Sequence, residues 1–292
     1  MNKLIYVAGD SFTAGEDIGD FLIPGAQSRN ILEWDNIQKN DISRLWFQHR
    51  NKIIQDDPGL GVQFDICNKE NRWSTILSNL TNTTVINNSI GGSSFYEIMY
   101  KTLHDVLSLK TQGKEIADVI VQLTSPDRYA YFTDNHKYQK NYNKEKYLIY
   151  SFMRTGTDEP FNFYTDAHYD AQPFHFTVYR FFVDLMFFDN AMINLIGKSP
   201  IYVDSVFYKN DFRFAVPIRE IVNDWFLVLK RNRHLVSPEI MAFAQDMIKN
   251  RIELAMDDGV KPTDRVWTTN FHLDGTIHKR FAERVAARYF SD

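Results

Sequence analysis

A short apolar run that ends at a Gly-Asp-Ser triplet constrains this chain more than any other feature. Leu4-Ile5-Tyr6-Val7-Ala8 is rich in β-branched and aromatic residues and leads at once into Gly9-Asp10-Ser11-Phe12-Thr13-Ala14-Gly15. Such a run reads as a buried strand, and the small and polar residues behind it read as the tight turn that ends it. In an open parallel sheet, ligands bind just beyond the carboxyl ends of the strands. Ser11 is therefore a candidate nucleophile at the edge of a rigid support. The same residues also suit a turn in which Asp10 and Ser11 satisfy backbone groups, and both readings stand on this stretch alone.

Further along, strand and helix patterns alternate. A helix is predicted over residues 72–80, a strand over 83–88, a glycine turn at Ser89-Ile90-Gly91-Gly92-Ser93-Ser94, and a helix over 95–109 anchored by Ile98, Leu103, Val106 and Leu107. The next strand, residues 118–123, ends at Thr124-Ser125-Pro126. This rhythm is the signature of a parallel α/β sheet. A helix over 177–196, a fourth strand over 199–206 and helices near 217–230 and 238–256 follow, the last with Pro238 placed well for a helix start after Ser237. Asp257-Asp258-Gly259 reads as a turn, and Ile277, Phe281, Val285 and Tyr289 form one apolar stripe on a closing helix over 275–289. Two segments break the rhythm. Residues 16–70 read as a long insertion with one helix near 41–55, and residues 128–176 as a polar, tyrosine-rich lid or cap. The whole, 1–292, is expected to be a single domain carrying these aromatic-rich insertions.

Composition narrows the class. A formal net charge of -4 gives no electrostatic case for nucleic acid or an anionic membrane surface. The one cysteine, Cys67, excludes an internal disulfide framework and fits a reducing compartment, or a secreted protein that manages without bridges. No turn or base flanks Cys67 to recommend it as a nucleophile. The apolar run after Met1-Asn2-Lys3 is too short for a signal peptide, and no run approaches membrane-spanning length. The expectation is a cytoplasmic or virion-associated protein. The glycine turns lack the Gly-x-Gly-x-x-Gly and Gly-Lys-Ser/Thr patterns that cradle phosphates, which argues against a nucleotide-binding protein.

Taken in order, these stretches resemble the SGNH, or GDSL-type, hydrolases. The resemblance implies a flavodoxin-like three-layer α/β sandwich with a central parallel sheet. It also implies ester cleavage by a Ser-His-Asp arrangement with no metal and no cofactor. By resemblance Ser11 is the nucleophile, and Gly92 is the oxyanion-hole glycine, whose amide can approach a developing oxyanion closely. The family's third block departs: where an Asn amide is expected this chain has Pro126, leaving Thr124, Ser125 or Arg128 to replace the donor. A missing donor of this kind costs about two to three orders of magnitude in rate.

In the fourth block, helix periodicity begins after Asp274, a good N-cap residue. His272 thus falls in the loop before the helix, as the resemblance requires of the base, although the position three residues earlier is Thr269 rather than Asp. The second choice is an Asp274–His278 pair, which its i, i+4 spacing puts on one helix face. Asp264 is a third candidate for orienting the base. The resemblance implies a serine esterase or carbohydrate O-deacetylase acting on a small-molecule or carbohydrate ester. The competing expectation is a non-catalytic virion or assembly component on the same fold, its aromatic insertions serving an interface or a homo-oligomer. The Asn- and Lys-rich style and the altered third block also resemble phage-encoded members of the family.

Overall fold

Strand β1 (Leu4–Ala8) forms from the opening apolar run, and all five of its residues are buried. The computed structural model describes residues 3–15, 18–22, 50–91, 93–124, 128–133, 148–153, 174–204, 206–208, 215–255 and 274–291. Side chains alternate across a strand with a period of two, and β1 uses both faces. Leu4, Tyr6 and Ala8 enter the larger core, while Ile5 and Val7 enter a second core with Trp73, Leu77, Ile277 and Phe281. Burial on both sides is why this strand reads as continuously apolar.

Around β1 lie β2 (Thr84–Asn87) and β3 (Ile116–Gln122). Beyond β3 come two short antiparallel ladders, β4 (Arg128–Thr133) with β5 (Leu148–Met153) and β7 (Val206–Tyr208) with β8 (Ala215–Pro217). The remaining strands, β6 (Ile201–Asp204) and β9 (Ile252–Ala255), complete the main sheet, whose order is β2-β1-β3-β6-β9 with every pairing parallel. Renumbered within that sheet alone, the order is 2-1-3-4-5, the flavodoxin-like arrangement that the family resemblance implies.

Helices cover both faces. The first turn is α1 (Ser11–Ala14), followed by α2 (Pro58–Asn71), α3 (Trp73–Thr81), α4 (Phe95–Thr111), α5 (Phe174–Ile196), α6 (Ile218–Arg231), α7 (Pro238–Asp246) and α8 (Gly275–Tyr289). Helices α4 to α7 pack on the larger core, and α3 and α8 on the smaller. The chain steps from β1 outward to β2, then back across β1 to β3, so the connecting helices α3 and α4 fall on opposite faces. Trp73 and Phe281 join α3 to α8 edge to face, with ring centroids 5.1 Å apart.

Two expectations need correction. The stretch 238–256, read as one helix, is α7, a π-helical turn at Met247–Arg251, and then the edge strand β9. Ile252 and Leu254 extend an apolar pattern that suits either structure over four residues, and pairing with Tyr202, Val203 and Asp204 of β6 selects the strand. Arg251 braces the change of direction, pairing with Asp246 and, at 2.7 Å, with the buried Asp189. In the 16–70 insertion, residues 50–56 are helical, and α2 forms where no helix was read. Asp57 caps α2 by accepting from the Leu60 amide at 3.1 Å, and Pro58 opens it. Phe64 is its one buried residue, so the sequence shows no apolar stripe there. Residues 23–49 lie outside the described ones, as does the turn at 257–259. The strands β4 and β5 lie within the segment read as a lid.

One buried polar link ties β1 to α4. The hydroxyl of Tyr6, wholly buried, donates to Asp105 Oδ2 at 2.6 Å, and the Asn88 amide donates to the same oxygen at 2.8 Å. Burial pushes the Asp105 carboxyl up, but hydrogen bonds from Tyr6 and Asn88, with Lys101 and His104, outweigh it and hold the group below its ordinary 3.8. Because its folded value is depressed, the carboxylate contributes its full stabilisation above pH 3.8, and that contribution is lost as pH falls through the folded value. Asp105→Ala leaves the Tyr6 hydroxyl buried without this acceptor, an expected cost of about 1–3 kcal/mol. Urea unfolding at neutral pH measures that cost, and the gap between wild type and variant should narrow in strong acid.

Candidate active site

The switch point of this strand order lies between β1 and β3, where neighbouring connections leave in opposite directions and a crevice opens at the carboxyl edge. The chain leaves β1 there, passes through Gly9 and Asp10, and turns into α1, closed by the Ala14 amide donating to the Asp10 carbonyl at 2.9 Å. Ser11 is the first residue of that turn.

The turn is held from several sides. Asp10 is buried, and its Oδ1 accepts from Gln122 Nε2 at 2.6 Å while its Oδ2 accepts from the Thr124 hydroxyl at 2.9 Å. Gln122 Oε1 accepts in turn from the Thr13 hydroxyl. The Thr13 carbonyl accepts from Asn87 Nδ2 at 2.8 Å, and the same amide donates to Ser74 Oγ at 2.7 Å. Asp10 and Thr13 flank Ser11 in sequence, so both sides of the serine are tied to the end of β3.

Gly9 makes this closure sterically feasible. A Cβ there would lie 2.7 Å from the Thr13 Cβ and 2.8 Å from the Gln122 Cβ, and neither β-carbon can rotate away. Gly9→Ala should therefore cost about 3 kcal/mol, the upper end for forcing one carbon into a packed site. Chemical denaturation measures the loss. Gly15 ends the turn at φ +75°, a left-handed conformation natural to glycine.

Beyond β2 the parallel ladder continues, with the Asn88 amide donating to the Val7 carbonyl and the Ile90 amide to the Gly9 carbonyl, both at 3.1 Å. This brings the start of the glycine turn beside the start of the serine turn. Gly92 itself lies outside the described residues, as do Ser125, Pro126, Asp264, Thr269 and His272. Thr124 is described, and its hydroxyl hydrogen is directed to Asp10.

Asp274 and His278, weighed as a pair, serve different partners. Asp274 caps α8, its Oδ1 accepting from the Thr276 and Ile277 amides at 2.9 and 3.0 Å. Burial pushes its carboxyl up, against the pull of those two amides. His278 is wholly buried, and its Nδ1 accepts from the Trp73 amide, the first of α3, at 3.1 Å. Arg72, the N-cap residue of α3, makes no capping hydrogen bond with its side chain, so the imidazole of α8 takes that role. A ring nitrogen that accepts carries no proton, which makes the ring neutral with its hydrogen on Nε2. A serine-activating base needs the opposite arrangement, with Nδ1–H donating to its orienting group and Nε2 accepting.

Thr13 and Gln122 were not singled out from the sequence. The signal for Gln122 was a polar residue at the end of the run Val119-Ile120-Val121-Gln122-Leu123, a run buried throughout. Among the described residues, no group of three or more His, Cys, Asp or Glu side chains is arranged to hold a metal ion. Among the same residues, no helix is long and apolar enough to cross a membrane.

Fold and site together define a flavodoxin-like α/β protein with a Gly-Asp-Ser turn fastened at its switch point. No family model matches the chain. No curated protein matches it either. Among solved structures, the chain is similar to the "putative lipolytic protein of G-D-S-L family" from Desulfitobacterium hafniense DCB-2, at 12% identity and a TM-score of 0.41, over 98% of this chain and 99% of that one.

Proposed function

We propose that this protein is a serine ester hydrolase of the SGNH type, with Ser11 as nucleophile and His272 as base. The observation that carries the reading is the fastening of the Gly9-Asp10-Ser11 turn to β3 at the switch point, by Gln122 and Thr124 on Asp10 and by Gln122 on Thr13. A nucleophile must be held near its attack geometry, and rigid support for the residues on both sides of it supplies this.

In the proposed reaction, Ser11 Oγ attacks the ester carbonyl carbon while His272 takes the hydroxyl proton. The tetrahedral oxyanion is met by the backbone N–H groups of Ser11 and Gly92, helped by Ser125. Collapse expels the alcohol, which receives the proton from His272 and leaves an acyl group on Ser11. Water then attacks that acyl group with His272 taking its proton, the bond to Ser11 Oγ breaks as His272 returns the proton to that oxygen, and the carboxylic acid departs. An unperturbed imidazole titrates near neutral pH and so both accepts and returns the proton. Thr124 serves the site through Asp10. A polar neighbour or Asp264 orients the imidazole in place of the family's acid, since Thr269 occupies that position.

The substrate class proposed is a small-molecule or carbohydrate ester, with the aromatic-rich segments as the wall for a sugar ring or acyl chain. A second reading, a non-catalytic assembly protein on the same fold, is favoured by Pro126 and Thr269, which remove a donor and an acid at two family positions. Labelling with a fluorophosphonate probe separates the two. An adduct on Ser11, together with hydrolysis of p-nitrophenyl acetate, supports the hydrolase. Silence in both assays from a stable oligomer supports the assembly protein.

A further inference from the structure

Gln122 is wholly buried at the end of β3, and its one amide group makes two different hydrogen bonds. The Nε2 donates to Asp10 Oδ1 at 2.6 Å, and Oε1 accepts from the Thr13 hydroxyl. These partners lie on either side of Ser11 in the chain. A primary amide carries a donor and an acceptor on one planar group, whereas an ionised carboxylate only accepts and an apolar side chain does neither. The position thus uses the chemistry particular to Gln, and Gly9 lacks the Cβ that would keep Gln122 and Thr13 apart.

We propose that Gln122 is a positioning residue for the Ser11 nucleophile, holding both flanks of the Gly-Asp-Ser turn through one amide. The inference rests on the ester-hydrolase reading. Gln122 acts through Asp10 and Thr13, and its effect falls on the chemical step because it fixes where the hydroxyl sits rather than how substrate binds. A displacement of about 1 Å at a reacting group costs on the order of a hundredfold in rate.

The experiment compares steady-state hydrolysis of p-nitrophenyl acetate by wild type, Gln122→Met, Gln122→Glu, and the double variant Gln122→Glu with Asp10→Asn. Gln122→Met keeps the length and removes both hydrogen bonds, so kcat should fall about a hundredfold while KM stays within about threefold. Gln122→Glu sets a carboxylate against the Asp10 carboxylate and should lose at least as much. Adding Asp10→Asn exchanges the ends of the pair: the amide at position 10 now donates to the carboxylate at 122, while its carbonyl still accepts from Thr124. At least about tenfold of the lost kcat should return, as coupled neighbours do in a double-mutant cycle. If Gln122→Met does not fold by circular dichroism, the comparison of Gln122→Glu with the double variant decides. The proposal is overturned by a wild-type kcat in Gln122→Met, or by a double variant no faster than Gln122→Glu. A wild type silent toward both the ester and the fluorophosphonate overturns the hydrolase reading itself, and the positioning role with it.

Discussion

Ser11→Ala is expected to lower p-nitrophenyl acetate hydrolysis by about 10^4- to 10^6-fold and to abolish fluorophosphonate labelling, as loss of the serine does in enzymes where the triad acts as a unit. The fold should survive the change. Ser11 opens a short helical turn whose closing hydrogen bond runs between backbone atoms of Asp10 and Ala14. The described ties to β3 are made by Asp10 and Thr13. A circular dichroism spectrum and melting temperature near wild type, with activity gone, would place the loss in the chemistry. Equal rates in wild type and variant would remove Ser11 as nucleophile and leave the turn as a structural device.

The two C-terminal histidines should separate by the kind of damage their loss causes. On the proposed mechanism His272→Ala removes the base, with an expected cost of about 10^4-fold in kcat and little change in stability. His278→Phe should do the reverse. Its imidazole accepts the first amide of α3 inside the smaller core, so removing the acceptor leaves a buried N–H and costs about 1–3 kcal/mol. Its effect on kcat should stay within about tenfold, since the contact it is seen to hold is the one between α3 and α8. Urea titrations and kcat on both variants provide the check. If His278→Phe kept wild-type stability but lost activity as His272→Ala is expected to, the base would be His278.

The distinction between those histidines shows where sequence reasoning was strong and where it stopped. The closing helix was legible to the residue, since the Asp274 cap and the stripe Ile277, Phe281, Val285 and Tyr289 are local signals within sixteen positions. The same local pattern placed Asp274 and His278 on one face and made them look like a dyad. What set them apart was Trp73, 205 residues away, whose amide takes the imidazole while the carboxylate caps its own helix. In the insertion after β1, α2 escaped notice because it buries only Phe64, and a helix with no apolar stripe has no periodic signature to read.

By itself the sequence determined the buried strands, their alternation with helices, and the small-residue turn that carries Ser11. Strand and helix periods, caps and glycines act over a few neighbouring residues and are written in their order. Only the tertiary structure decided that Ile252–Ala255 pairs as a sheet edge, and that Gln122 joins Asp10 to Thr13. Both depend on groups brought together from distant parts of the chain, 112 positions apart for Asp10 and Gln122. Whether a polar side chain is a partner or a surface group is settled by what packs against it.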